Sequence, residues 1–233
     1  MSSNSNLTVK QQRDARRAEK VAALKKKQAA EKRNARIGWI IGGSLGAIAI
    51  AAIVTLIVVT ATPKPDPSTI KIEGLKTFDL PQGVHVDLTA EGTINPAPPA
   101  VDYEAEYGMN PPAGGNHWTA WINCGVYTEQ IPNERGVHAL EHGAVWVTYD
   151  PTKVDQAGVD EIIAKLPKTY SLVTPYEGLP TPVVASAWGA QVQLDGADDE
   201  RLDLFVDKYW RSAAAPEPNA ICTNGIDGPG KVA

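Results

Sequence analysis

Residues 110–149 read NPPAGGNHW (110–118), TAWINCGVYTEQIPNERG (119–136), VHALEHG (137–143) and AVWVTY (144–149), and they decide how the rest of the chain is read. The stretch holds three of the four histidines (His117, His138 and His142), one of the two cysteines (Cys124) and three of the six tryptophans. AVWVTY is dense in β-branched and aromatic residues, which predicts a buried strand. Gly143 and that strand leave room for only a short helical turn across VHALEHG. On such a turn His138 and His142, four residues apart, share one face, so both imidazoles could reach one metal ion. His117 leaves a Gly114-Gly115 turn, whose freedom lets the chain bring a third imidazole against them. His85 is a further ligand or a supporting partner. Glu141 points away from at least one histidine and takes a supporting or substrate-facing role. The thioether of Met109 beside imidazoles would suit copper, whereas histidine with carboxylate suits zinc. The bland alternative makes the histidines hydrogen-bonding loop pins and Trp118, Trp121 and Trp146 plain core.

Read literally, His138-Ala-Leu-Glu-His142 is also the H-x-x-E-H pattern of inverted zincins, with two zinc-binding histidines and Glu141 as general base. Those enzymes need a long helix at the motif, and Gly143 cuts this one short. A small metal-dependent hydrolase is therefore the alternative to a non-catalytic metal-binding module.

Working outward, Val159, Ile162, Ile163 and Leu166 form the apolar stripe of a helix over Asp155–Leu166, stopped by Pro167. Strands follow at Tyr170–Thr174, Val183–Trp188 and Gln191–Leu194. A second striped helix spans Asp199–Ala213, and a Pro/Gly-rich tail fills residues 214–233. Upstream, Thr69–Phe78 and Gly83–Leu88 read as strands. With no regular βαβ rhythm, residues 69–213 make one mixed α+β domain.

The N-terminal part is different in kind. Eleven of the 22 Lys/Arg and three of the 27 Asp/Glu lie in residues 1–36, a basic helical arm of +8 before a body of −13. Residues 37–60, IGWIIGGSLGAIAIAAIVTLIVVT, carry no charge and are long enough to cross a bilayer core of about 30 Å as a single transmembrane helix. A cleaved signal peptide is the competitor, but its apolar core would be about 7–15 residues. Residues 61–68 are a proline-punctuated linker. The positive-inside rule places the arm in the cytoplasm against anionic lipids and the rest outside the plasma membrane. There Cys124 and Cys222 are expected to form a disulfide. The short arm and the acidic body argue against nucleic-acid binding.

The run NPPAGGNHW…GVY…P…VHALEHGAVWVTYDP, with AWG and the last helix after it, resembles a family of uncharacterised bacterial domains. That family is common in actinobacteria and borne by single-pass envelope proteins. The resemblance covers Thr69–Pro218, and its most specific pieces are Pro111–His117 and His138–Gly143. It implies an extracytoplasmic domain with a histidine site and supplies no reaction. By analogy of context it implies an accessory or assembly role, with an envelope or respiratory protein as partner.

Overall fold

A computed structural model of the chain describes Arg13, residues 16–34, Arg36 and residues 66–232. The chain divides between Lys64 and Pro65 into two units. In the first, residues 16–34 form a helix, α1, whose side chains are all exposed. Its alanine, lysine, arginine, glutamate and glutamine content, free of glycine and proline, suffices for that conformation. Among the described residues no helix is long and apolar enough to cross a membrane. The transmembrane helix expected at residues 37–60 lies outside the described residues, as does most of the linker.

The second unit is a mixed α+β domain on one six-stranded sheet. Its strands are β1 Lys76–Thr77, β2 Gly125–Val126, β3 Val145–Tyr149, β4 Ser171–Pro175, β5 Val183–Ala187 and β6 Ala190–Leu194. Its helices are α2 Tyr103–Tyr107, α3 Asn133–Glu141, α4 Gln156–Lys165 and α5 Arg201–Tyr209. The strand order is β1-β6-β5-β3-β4-β2. β4 runs parallel to β2 and β3, and the other pairs are antiparallel. The parallel pair β3 and β4, joined through α4, is a βαβ unit inside an otherwise irregular order.

Side-chain alternation sorts the sheet into two cores. Val145, Val147, Tyr149, Val173, Val183, Ala185, Val192 and Leu194 face one side, where Val159 and Ile162 of α4 and Leu202, Phe205 and Val206 of α5 meet them. Trp146, Leu172 and Val184 face the other, with Val137, Ala139 and Leu140 of α3. Covering both faces explains why AVWVTY reads as an unbroken apolar run. Each fully buried Val, Leu or Phe contributes about 1.5–3 kcal/mol here.

Two expected strands are corrected. Thr69–Phe78 reaches the sheet only at Lys76–Thr77, because Ile70 and Ile72 turn into the core and Lys208 Nζ donates to the Ile70 carbonyl (2.7 Å). Gly83–Leu88 stays off the sheet, making isolated bridges from His85 to His117 and from Leu88 to Ile94. Helix α4 begins where expected, its Asp155 cap accepting from the Gly158 amide (3.0 Å). Short α2 is capped by the Asp102 side chain and closed by left-handed Gly108. The tail is held along much of its length. Cys222 is disulfide-bonded to Cys124, with Cα atoms 5.4 Å apart, and Ala215 is buried. The Thr128 amide donates to Gly230 (2.8 Å) and the Val232 amide to Val126 (2.9 Å), which covers the outer edge of β2.

Gly143 joins α3 to β3. Its amide donates to the Leu140 carbonyl (2.9 Å) and the Ala144 amide to Ala139 (3.0 Å), the two bonds of a Schellman closure. Its φ is +94°, and a Cβ there would stand 3.2 Å from the Arg211 Cα. Gly143→Ala should therefore destabilise the domain by about 1–2 kcal/mol. Urea unfolding reads this as a lower midpoint at unchanged slope, and an unchanged midpoint would contradict it.

Candidate metal centre

Three separate pieces of chain build one cluster. The first is α3, which lies close on β3 because Gly136 faces Trp146; a Cβ at 136 would sit 2.6 Å from the indole ring. From α3, His138 and Glu141 project at i and i+3, both buried. The second piece is the loop ending at His117, and the third is residues 83–88, which clasp it. The Val86 amide donates to the His117 carbonyl (2.9 Å) and the His117 amide to Val84 (3.0 Å). Asp87 locks the clasp by accepting from the Thr119 amide (2.8 Å) and hydroxyl (2.7 Å). Burial opposes ionisation of Asp87, but these bonds hold its carboxyl below the usual carboxylate range. A side chain at Gly83 would have to displace its neighbours: a Cβ there would lie 2.5 Å from the Gly115 oxygen and 2.6 Å from His117 Nδ1.

One ligand-type atom from each of His85, His117, His138 and Glu141 lies within 4.8 Å of all the others. The rings pack closely: His85 to His117 at 5.0 Å between centroids, His85 to His138 at 5.1 Å, and His117 to His138 at 4.8 Å. Backbone carbonyls fix two of the imidazoles. The Trp118 oxygen accepts from His138 Nδ1 (2.7 Å) and the Gly115 oxygen from His117 Nδ1 (2.9 Å). In the neutral form of either ring the lone pair would therefore sit on Nε2, as in most metal-bound histidines, whose other nitrogen donates outward. His117 Nε2 then faces Glu141 Oε2 at 3.0 Å, and His138 Nε2 lies 3.9 Å from the same oxygen. Between two such lone-pair groups a cation has to stand, a proton in the metal-free protein or a metal ion in its place. Two ligands about 2.0–2.2 Å from one tetrahedral ion are about 3.4 Å apart, between the two observed distances.

Electrostatics agree with that geometry. Burial pushes the His138 imidazole down to about 4; the charges of His117 and His142 add to this, while the bond to Trp118 and the charge of Glu141 oppose it. Burial opposes ionisation of Glu141, but the His117 bond and the surrounding imidazoles hold it below its ordinary value. The centre thus combines an uncharged, lone-pair-bearing His138 with an ionised carboxylate.

A family model for proteins of unknown function, DUF3105, matches residues 100–224. The chain belongs to the DUF3105 family. No curated protein and no solved structure matches it. The matched span holds His117, His138, Glu141, His142 and both cysteines, and His85 precedes it.

Within this DUF3105 domain the residues singled out from sequence divide clearly. His117, His138 and His85 come together, and a carboxylate oxygen of Glu141 lies among them. His142 stands outside that group. Its ring is edge-on to His138 at 4.7 Å, but its Nδ1 donates to the Ile221 carbonyl (2.7 Å) and its Nε2 faces Glu217. Met109 is buried and its sulfur accepts from the Ala113 amide (3.2 Å), so the thioether is turned to the backbone. The expected Cys124–Cys222 bridge is present. Gly83, Asp87 and Thr119 were not singled out, and neither was Trp188, edge-on to His117 at 6.0 Å. For Glu141 the signal was available: i, i+3 neighbours on a helix meet as well as i, i+4 neighbours do.

His138, with its folded pKa depressed, makes the metal-free domain acid-sensitive. Between its ordinary value of 6.5 and about 4 the unfolded chain binds the proton that the folded chain refuses. Stability should therefore rise with pH across that window, by about 3 kcal/mol from this group, and level off above it. His142, also lowered by burial, acts in the same direction. Glu141 adds stability that is lost as pH falls below its ordinary value of 4.5. Urea titrations of the metal-free protein from pH 4 to 8 test this, and a flat profile below pH 6.5 would contradict it.

Proposed function

We propose that this DUF3105 domain is a metal-binding module that holds one divalent transition ion through His85, His117, His138 and Glu141. The observation that carries the reading is the convergence of four ligand-type atoms within 4.8 Å, two imidazoles having Nδ1 committed to backbone carbonyls. Three imidazoles and a carboxylate, with no thiolate or free thioether, suit zinc before copper. Buried Glu141, hydrogen-bonded to His117, stands where a ligand stands rather than as a base beside an open position. His142, the second histidine of the H-x-x-E-H pattern, lies outside the four-ligand cluster, with its Nδ1 on the Ile221 carbonyl and its Nε2 turned toward Glu217. Both features favour a binding module over a hydrolase.

The module is tethered to the plasma membrane of a bacterial envelope, the basic arm lying inside against anionic lipids and the metal-binding domain outside. The charge-free run at 37–60, the charge asymmetry around it and the disulfide support this placement. Its role is that of an accessory or assembly protein beside an envelope or respiratory partner.

The test is metal content of the full-length chain, purified in detergent, equilibrated with zinc and dialysed. One tightly held ion per chain is expected. His138→Ala should weaken binding by at least about 100-fold. Gly83→Ala keeps every ligand but displaces His117, and should weaken it by about 10–100-fold. A wild-type chain that retains no ion, or a His138→Ala chain that retains it fully, would overturn the reading.

A further inference from the structure

Beside the four-ligand centre a second pair of lone-pair groups face one another. His142 Nδ1 donates to the Ile221 carbonyl at 2.7 Å, which leaves Nε2 as the nitrogen turned to Glu217. That Nε2 stands 3.6 Å from Glu217 Oε2. That gap is wider than the about 2.7–2.9 Å of a charge-assisted hydrogen bond. It is close to the separation of about 3.4 Å between a nitrogen and an oxygen ligand on one tetrahedral zinc-type ion.

Both groups are held at that separation from outside. The Glu217 amide donates to the Glu141 carbonyl (3.0 Å) and the Asn219 amide to the His142 carbonyl (3.1 Å). Cys222, next to Ile221, is bonded to Cys124. The tail that carries Glu217 is thus fastened across the end of α3 on either side of His142. The two partners differ in access: the His142 side chain is 4% exposed and that of Glu217 is 50% exposed. His138 stands next to this pair and within the main cluster, its ring 4.7 Å from His142 and 4.8 Å from His117.

We propose that His142 and Glu217 form a second, weaker and exchangeable station for a divalent transition ion, reached from solvent at Glu217. One histidine and one carboxylate supply two ligands where the buried centre supplies four, so the station loads and unloads while the centre retains. The proposal rests on the metal-binding reading of the neighbouring cluster for the class of ion it takes.

Zinc binding to the full-length chain in detergent, followed by calorimetry and by metal content, tests it with two variants. The wild-type chain should take two ions, the second at least about 100-fold more weakly than the first. Glu217→Gln keeps the backbone bond to Glu141 and should abolish the second ion while leaving the first within about twofold. His138→Ala should remove the tight ion and spare the weak one. A wild-type chain that takes a single ion, unaffected by Glu217→Gln and lost in His138→Ala, would overturn the station and leave the centre standing. A second ion that survives Glu217→Gln would overturn the station too, and His142–Glu217 would be an ion pair only. A single weak ion lost in Glu217→Gln would support the station and refute the four-ligand centre.

Discussion

The contact between Glu141 Oε2 and His117 Nε2, 3.0 Å long and sealed from solvent, is the constraint around which the domain is arranged. A carboxylate taken out of water is costly, and removing the partner of such a pair typically costs about 3–5 kcal/mol. Glu141 has to come from a helix pressed on the sheet, and His117 from a loop crossing that helix. Each is further tied to the backbone, His117 through its Nδ1 bond to Gly115 and α3 through its close packing on Trp146. His85 is delivered by a segment whose only ladder contacts are bridges, so its position depends on the His117 backbone and on Asp87. The sheet holds α3 through Trp146 and the His117 loop through Gly189 and Gln191, which donate to the Ala113 and Pro111 carbonyls, and the Glu141–His117 contact joins the two where they meet.

The end of α3 shows how the rest of the chain serves that constraint. A helix leaves its last carbonyls without partners inside the helix. Here the Glu141 oxygen is met by the Glu217 amide, that of His142 by Asn219 and that of Gly143 by Arg211. All three donors lie beyond α5, in chain that returns under the tether of the Cys124–Cys222 disulfide. Residues far apart in sequence thus converge on one helical turn. A metal ion there would stabilise the folded domain in proportion to its affinity, since the unfolded chain cannot present these ligands together.

How far this was legible from sequence follows from the range of the interactions. The strand at AVWVTY, the helices with clear apolar stripes and the disulfide rest on local pattern or on a simple count, and they stand close to where they were expected. Thr69–Phe78 reads as a strand by composition, but its isoleucines are used as core plugs beneath α5. Gly83–Leu88 alternates like a strand because it clasps the His117 loop rather than a sheet neighbour. At the cluster, histidine spacing pointed to the chain where His117, His138 and Glu141 meet, but helical spacing alone leaves open whether His142 or Glu141 turns to His138. Tertiary contacts make that choice: His117 takes Glu141 as its partner, and the tail takes His142. The role of Gly83 depends on a close approach to Gly115 and His117 across some thirty residues of sequence, which no local pattern shows.

Under the proposed function, three imidazoles and one carboxylate of this domain surround a single ion. X-ray absorption spectroscopy of the full-length chain loaded with one equivalent of zinc tests it most directly. The expected result is a four-coordinate shell of nitrogen and oxygen at about 2.0–2.2 Å, with the outer-shell scattering of three imidazoles and no sulfur. A shell with one imidazole or none, or one dominated by oxygen, would contradict it.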